Sequence, residues 1–184
     1  MILTLVFHMF FSLNAQDVKP HSVALIPYPV TLTEGEGAFV FTEKTVVALE
    51  DKEMEVIARD FVDLFTKTAG FTPKLKLNSK KGAVQLIKDD SFQEEGYALE
   101  VTPEKIVVRA AGVKGAFYAL QTLRQLLPSD IEGNESKPNV VWEVPSIRIT
   151  DEPRFGYRGL MVDVARYFIP KEHLMRIIDT MGML

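Results

Sequence analysis

Cysteine is absent from the 184 residues. That excludes disulfides, thiolate metal sites, a cysteine nucleophile and a lipid anchor through an N-terminal cysteine. Histidine occurs three times, at His8, His21 and His173, too far apart for any metal-ligand spacing. No run of lysine or arginine is present. The 21 basic residues are dispersed among 25 acidic ones for a net charge of −4, which argues against a nucleic-acid surface or an anionic membrane partner. No apolar stretch reaches the roughly twenty residues of a membrane span. There is no glycine-rich phosphate loop either: Gly112-Val-Lys-Gly lacks the Walker pattern, and Gly35-Glu-Gly37 reads as an isolated turn. Internal repeats and low-complexity tracts are also missing. A chain with these absences must hold itself together by its core, and 47% apolar residues suffice for that.

What is there begins with a leader. Met1 to Ala15 is an apolar stretch ending in a small residue before Gln16 and Asp17, as a secretory signal peptide cleaved after Ala15 would be. The expected location is therefore secreted or periplasmic. Ile26 to Val30, with two prolines, reads as an extended lead-in, followed by short strands at Phe39–Phe41 and Thr45–Ala48. Helical spacing then covers Lys52 to Thr68, where Ile57, Phe61, Leu64, Phe65 and Thr68 share a face. Lys74–Leu77 and Ala83–Ile87 read as strands. Tyr97, Leu99 and Val101 alternate on one arm of a hairpin and Ile106, Val108 and Ala110 on the other, with Thr102-Pro-Glu-Lys105 between. A helix from Val113 to Leu127 offers the stripe Ala116, Leu120, Leu123 and Leu127 as a cover for that hairpin, and Pro128 stops it. Ser129 to Pro138 is a polar loop, and Val140 to Ile149 is extended chain interrupted by Pro145. This order predicts an α+β domain, a mostly antiparallel sheet with two helices on one face.

The last stretch is the most telling. Tyr157 to Val164 carries Tyr, Leu, Met and two Val, as a strand buried on both faces does. A Pro-Lys-Glu start then opens a helix in which Leu174, Ile177, Ile178 and Met181 fall at i, i+3, i+4 and i+7. A buried strand followed at once by an amphipathic helix is the first unit of a parallel α/β fold. Pro153, Arg154, Phe155, Tyr157, Arg158, Gly159, Asp163, Arg166 and Phe168 together resemble the opening of the catalytic barrel in family 20 glycoside hydrolases, the β-N-acetylhexosaminidases. One departure is Tyr167, where that family has histidine. Ile26-Pro-Tyr-Pro-Val and the stretch Gly112 to Pro128 resemble the family's N-terminal domain. After the leader over residues 1–15, the resemblance implies an α+β N-terminal domain over 22–149 and, over 150–184, the first strand and helix of a truncated (β/α)₈ barrel.

It also implies an activity: removal of terminal N-acetylglucosamine or N-acetylgalactosamine from glycans by a retaining, substrate-assisted mechanism without cofactor or metal, an exception to the two-carboxylate scheme. The family works through an adjacent Asp-Glu pair at a later barrel strand, and that pair is missing here. Asp151-Glu152 precedes Pro153 in the connection and is expected to be solvated linker charge. No catalytic residue is therefore assigned. Arg158 is expected to bind substrate, since a guanidinium offers planar donors to two vicinal sugar hydroxyls, and the resemblance implies contact with the distal hydroxyls of the terminal hexosamine. The alternative for Arg158 is a buried arginine paired with a carboxylate. Asp163 is the second candidate, either for a sugar hydroxyl or for pairing with Arg166. Tyr157 and Tyr167 could stack on a sugar, though barrel-strand aromatics are more often core, and His173 reads as a surface residue. The expected partners are N-acetylhexosamine-terminated glycans; no nucleic acid, membrane span or oligomeric state is read. Two alternatives stand beside this: a non-catalytic carbohydrate-binding or scaffold module, and the N-terminal module of another glycosidase family, such as α-glucuronidases or family 84 N-acetylglucosaminidases.

Overall fold

The computed structural model describes residues 23–183. The expected leader from Met1 to Ala15 lies outside the described residues. Seven strands form one sheet: β1 (Thr31–Val40), β2 (Val46–Leu49), β3 (Lys74–Lys76), β4 (Val84–Lys88), β5 (Tyr97–Val101), β6 (Ile106–Ala110) and β7 (Glu143–Asp151). Their spatial order is β1-β7-β5-β6-β4-β2-β3. Among the described residues three α-helices accompany them, α1 (Glu55–Thr68), α2 (Val113–Leu126) and α3 (Lys171–Met183).

Alternation along the strands sorts side chains to two faces. One buried row runs across the sheet through Val47, Val84, Ile106, Val101 and Ile147, and a second through Leu49, Leu86, Val108, Leu99 and Ile149. Each such side chain contributes about 1.5–3 kcal/mol when fully buried. Helices α1 and α2 cover these rows: Ala58, Phe61, Val62 and Phe65 of α1 and Ala116, Ala119, Leu120 and Leu123 of α2 belong to the same apolar cluster. On the other face Glu100 and Arg148 sit opposite each other on β5 and β7 and form an ion pair at 2.6 Å.

The sheet is mixed, not mostly antiparallel as expected from sequence. β2 pairs in parallel with β3 and β4, and β4 in parallel with β6, while only the β5–β6, β5–β7 and β1–β7 pairings are antiparallel. The helices account for part of this. Each of α1 and α2 has 14 residues, about 21 Å of return path, so it carries the chain back to the end where it started. α1 makes β2 and β3 run the same way, and α2 does the same for β6 and β7, which flank β5. The β4–β6 pairing needs no helix: the chain reverses between β4 and β5 and again between β5 and β6, and β6 lies between the other two.

Residues 35–37, expected as an isolated turn, are a bulge inside β1. Glu34 pairs with Ile147 and Ala38 with Pro145, so Gly35, Glu36 and Gly37 together face Ser146. Gly37 has φ +83°, and a Cβ on Gly35 would lie 3.2 Å from Ser146 Cβ. Pro145 is tolerated in β7 because that part of the strand pairs only with β1, beyond the end of its ladder with β5.

The strand expected from Tyr157 to Val164 is not formed. Residues 152–170 carry neither strand nor helix, and Tyr157, Leu160, Met161 and Val164 are exposed. None of the seven strands pairs with this stretch, and a parallel strand lacking neighbours has no ladder to hold it. Helix α3 does form, starting one residue after Pro170, but no residue of it is buried. Leu174 and Ile177 of its stripe are only half-buried, and its C-terminal end lies against α2, where a Cβ on Gly182 would be 4.0 Å from Phe117 Cζ.

Candidate functional site

A cleft of about 1140 Å³ opens between the lead-in at residues 26–30, the polar face of α2, the turn before β5 and residues 151–158. α2 has two unlike faces because its periodicity is double. Ala116, Ala119, Leu120 and Leu123 turn down to the sheet, while Lys114, Tyr118, Gln121, Thr122 and Gln125 line the cleft.

Gln125 ties three segments together. Its side-chain oxygen accepts from Ile26 N–H at 3.0 Å, and its Nε2 donates to Ile26 O at 2.9 Å and Met183 O at 3.1 Å. The lead-in and the end of α3 are thereby fastened to α2. Asp151 performs a similar task at the last position of β7. Its Oδ1 accepts from Val30 N–H at 3.0 Å, and Oδ2 from the Tyr97 hydroxyl at 3.4 Å. Asp151 is therefore not the solvated linker charge expected from sequence, whereas Glu152 is exposed.

Tyr97 is buried, and its hydroxyl also meets Thr122 Oγ1 at 2.6 Å. Burial pushes its pKa above the ordinary phenol range, the Thr122 bond opposes this, and the Asp151 charge adds to it. The unfolded chain gives up this proton near pH ~10 while the folded chain keeps it. Its contribution is thus fully present below about pH 10 and declines as pH rises above that value. Tyr97→Phe is expected to cost about 1 kcal/mol at pH 8. In urea unfolding the gap between wild type and variant should shrink by pH 10.5; a gap that stays constant or widens would contradict the assignment.

Arg158 is drawn into the cleft. Its Nη2 donates to Tyr118 Oη at 2.9 Å and to Glu95 Oε2 at 3.1 Å, and its Nη1 donates to Phe155 O at 2.7 Å. The guanidinium carbon lies 5.5 Å from the Tyr118 ring centroid, within cation–π range. Partial burial pulls its pKa down, but the bonds to Glu95 and Tyr118 outweigh this and leave it above the ordinary value. The group stays charged throughout. Arg158 thus pairs with a carboxylate but is not the buried arginine of the second sequence-based option, since part of its side chain is open to the cleft.

Asp163 does not line the cleft. Its Oδ1 accepts from the backbone N–H groups of Ala165 and Arg166, and its Oδ2 from Arg166 Nε, which together hold its carboxyl below the usual range. Tyr157 and Tyr167 are exposed, and so is His173. Glu95 and Tyr118 were not foreseen. They lie 63 and 40 positions from Arg158, and no local spacing connects them. Among the described residues no group of three or more acidic or histidine side chains could hold a metal, and no helix is long and apolar enough to cross a membrane.

Residues 22–152 match glycosyl hydrolase family 20, domain 2, and residues 155–184 match the catalytic domain of glycosyl hydrolase family 20. The chain belongs to glycosyl hydrolase family 20. It is 33% identical over 165 residues to a beta-hexosaminidase of Porphyromonas gingivalis, covering 88% of this chain and 21% of that protein. The fold resembles the N-acetyl-beta-hexosaminidase of Streptomyces plicatus in complex with Thio-NAglucal, with a TM-score of 0.75 and 28% identity over 84% of this chain and 31% of that one. It also resembles the exo beta-N-acetylglucosaminidase of Vibrio harveyi in complex with N-acetylglucosamine, with a TM-score of 0.71 and 28% identity over 86% and 24% of the two chains. The chain thus spans between about a fifth and a third of these family 20 relatives.

Proposed function

We propose that this chain is the N-terminal portion of a β-N-acetylhexosaminidase, secreted or periplasmic, that removes terminal N-acetylhexosamine from the non-reducing end of glycans. The observation that carries the reading is the succession of two matches, domain 2 over 22–152 and catalytic domain over 155–184, in one chain. The export reading rests on the apolar stretch from Met1 to Ala15. Residues 155–184 match the catalytic domain, and we read them as the opening of a (β/α)₈ barrel of about 250 residues, a stretch that takes up strand pairing only beside the neighbouring barrel strands.

In the substrate-assisted retaining scheme the sugar's own acetamido oxygen attacks the anomeric carbon, and the glycosidic bond breaks as its oxygen takes a proton. A family aspartate orients the acetamide and the adjacent glutamate supplies that proton; water then opens the cyclic intermediate with retention. Neither carboxylate is in this chain. Arg158 is proposed to hold distal hydroxyls of the terminal sugar, and Asp163 to accept from another once released from Arg166. No cofactor or metal enters the scheme.

The 184-residue chain is accordingly expected to hydrolyse an aryl N-acetylglucosaminide no faster than buffer. A protein that carries the same residues followed by a complete catalytic domain is expected to turn it over. Hydrolysis by the 184-residue chain would overturn the inactivity claim; failure of the complete protein on both hexosamine glycosides would overturn the functional reading.

A further inference from the structure

The clamp on Arg158 comes from residues that match domain 2 of the family, while Arg158 itself lies in the stretch that matches the catalytic domain. Glu95 sits in the turn immediately before β5, and Tyr118 in the middle of α2. Both stand on rigid supports. The turn is fastened by Gly96 N–H donating to Gln93 O at 3.0 Å and by Gly115 N–H donating to Glu94 O at 3.2 Å. Lys114 and Glu94 add an ion pair across the same junction at 2.8 Å. Tyr118 packs edge-on against Phe117 at 5.5 Å.

We propose that Glu95 and Tyr118 are positioning residues for Arg158, so that the N-terminal sheet domain orients the guanidinium toward the distal hydroxyls of the terminal sugar. This rests on the reading of Arg158 as the sugar-binding arginine. A guanidinium has five N–H donors. Three are engaged by Glu95, Tyr118 and Phe155 O, which leaves Nε–H and one Nη1–H for a ligand. A free arginine side chain would lose its rotamer freedom on each binding event. Held from behind by a carboxylate, a hydroxyl and a backbone carbonyl, the group is ordered before sugar arrives. Tyr118 additionally offers its ring face, so the charge is retained without a second carboxylate competing for the sugar-facing donors.

The test is a double-mutant cycle in the enzyme carrying its complete catalytic domain, read as kcat/KM on an aryl N-acetylglucosaminide. Arg158→Ala is expected to lose about 100-fold, Glu95→Ala about 10-fold and Tyr118→Phe about 3-fold. In the Arg158→Ala background, Glu95→Ala should cost less than about 2-fold, since there is then nothing to position. Glu95→Gln, which keeps an acceptor at the same reach, should recover most of the loss. If Arg158→Ala leaves kcat/KM unchanged, the sugar-binding reading of Arg158 fails. If Arg158→Ala is damaging but Glu95→Ala is silent, or costs the same factor with and without Arg158, the positioning role alone is overturned.

Discussion

Replacing Phe65 by alanine is expected to lower the unfolding free energy by about 3–5 kcal/mol, enough to remove a large part of a domain's stability. Phe65 lies on α1 and is fully buried. Its ring is the hub of the aromatic cluster, 4.8 Å from Phe41, 5.8 Å from Phe61, 5.8 Å from Phe71 and 6.1 Å from Trp142. These partners come from the end of β1, from α1 itself, from the loop after α1 and from the approach to β7. One side chain therefore joins four segments. The hole left by alanine cannot close easily, because Phe41 is also fixed through its backbone, its N–H donating to Trp142 O at 2.8 Å. Phe65→Leu should recover roughly half of the loss, as the transfer contribution returns while part of the cavity remains. Urea unfolding followed by circular dichroism measures both. A loss under about 1.5 kcal/mol for alanine would mean that the cluster repacks.

Gly115→Ala is expected to destabilise by about 2–3 kcal/mol, although alanine is the better helix former by about 1 kcal/mol. The clash decides the sign. A Cβ at Gly115 would lie 2.3 Å from Gly96 O and 3.1 Å from Ala110 Cβ. The first of these is backbone, so no rotamer change relieves it. Either α2 lifts from β6 or the 93–96 turn moves away, and the second route breaks the Gly115 N–H to Glu94 O bond and carries Glu95 with it. The variant should then lose the Arg158 clamp as well as stability. Gly156→Ala serves as the control, because no heavy atom lies within 4 Å of the added methyl, and it should stay within about 0.5 kcal/mol of wild type. Equal effects at the two positions would show that close approach is not what selects glycine at 115.

The helices and the hairpin were readable because their signals are local. The stripe Ala116, Leu120, Leu123 and Leu127 is buried as expected, and the alternation from Tyr97 to Ala110 pairs in the foreseen register. On α1, Phe61, Phe65 and Thr68 are buried as read, but Ile57 and Leu64 are only partly so, while Ala58 and Val62 take the inner positions. A stripe of that width leaves its exact centre open until the neighbouring layer is placed. The Gly35–Gly37 bulge was hidden for a different reason: two glycines near a turn-like glutamate look the same whether the chain reverses or bulges. Only the presence of Ser146 opposite distinguishes the two.

The same division runs through the candidate site. Residue order along the chain was enough to bring the family resemblance into view and to single out Arg158 and Asp163 as candidates, since these are matters of identity and spacing. Strand direction, the role of Asp151 in holding Val30 and Tyr97, and the clamp of Glu95 and Tyr118 on Arg158 were invisible there. The Asp151 and Arg158 contacts join residues 40 to 121 positions apart, and they exist only once α1 and α2 have carried the chain back across the sheet. The stretch from Tyr157 to Val164 makes the converse point: it has the composition of a buried strand, but a strand is made by its neighbours, and none of the seven pairs with it.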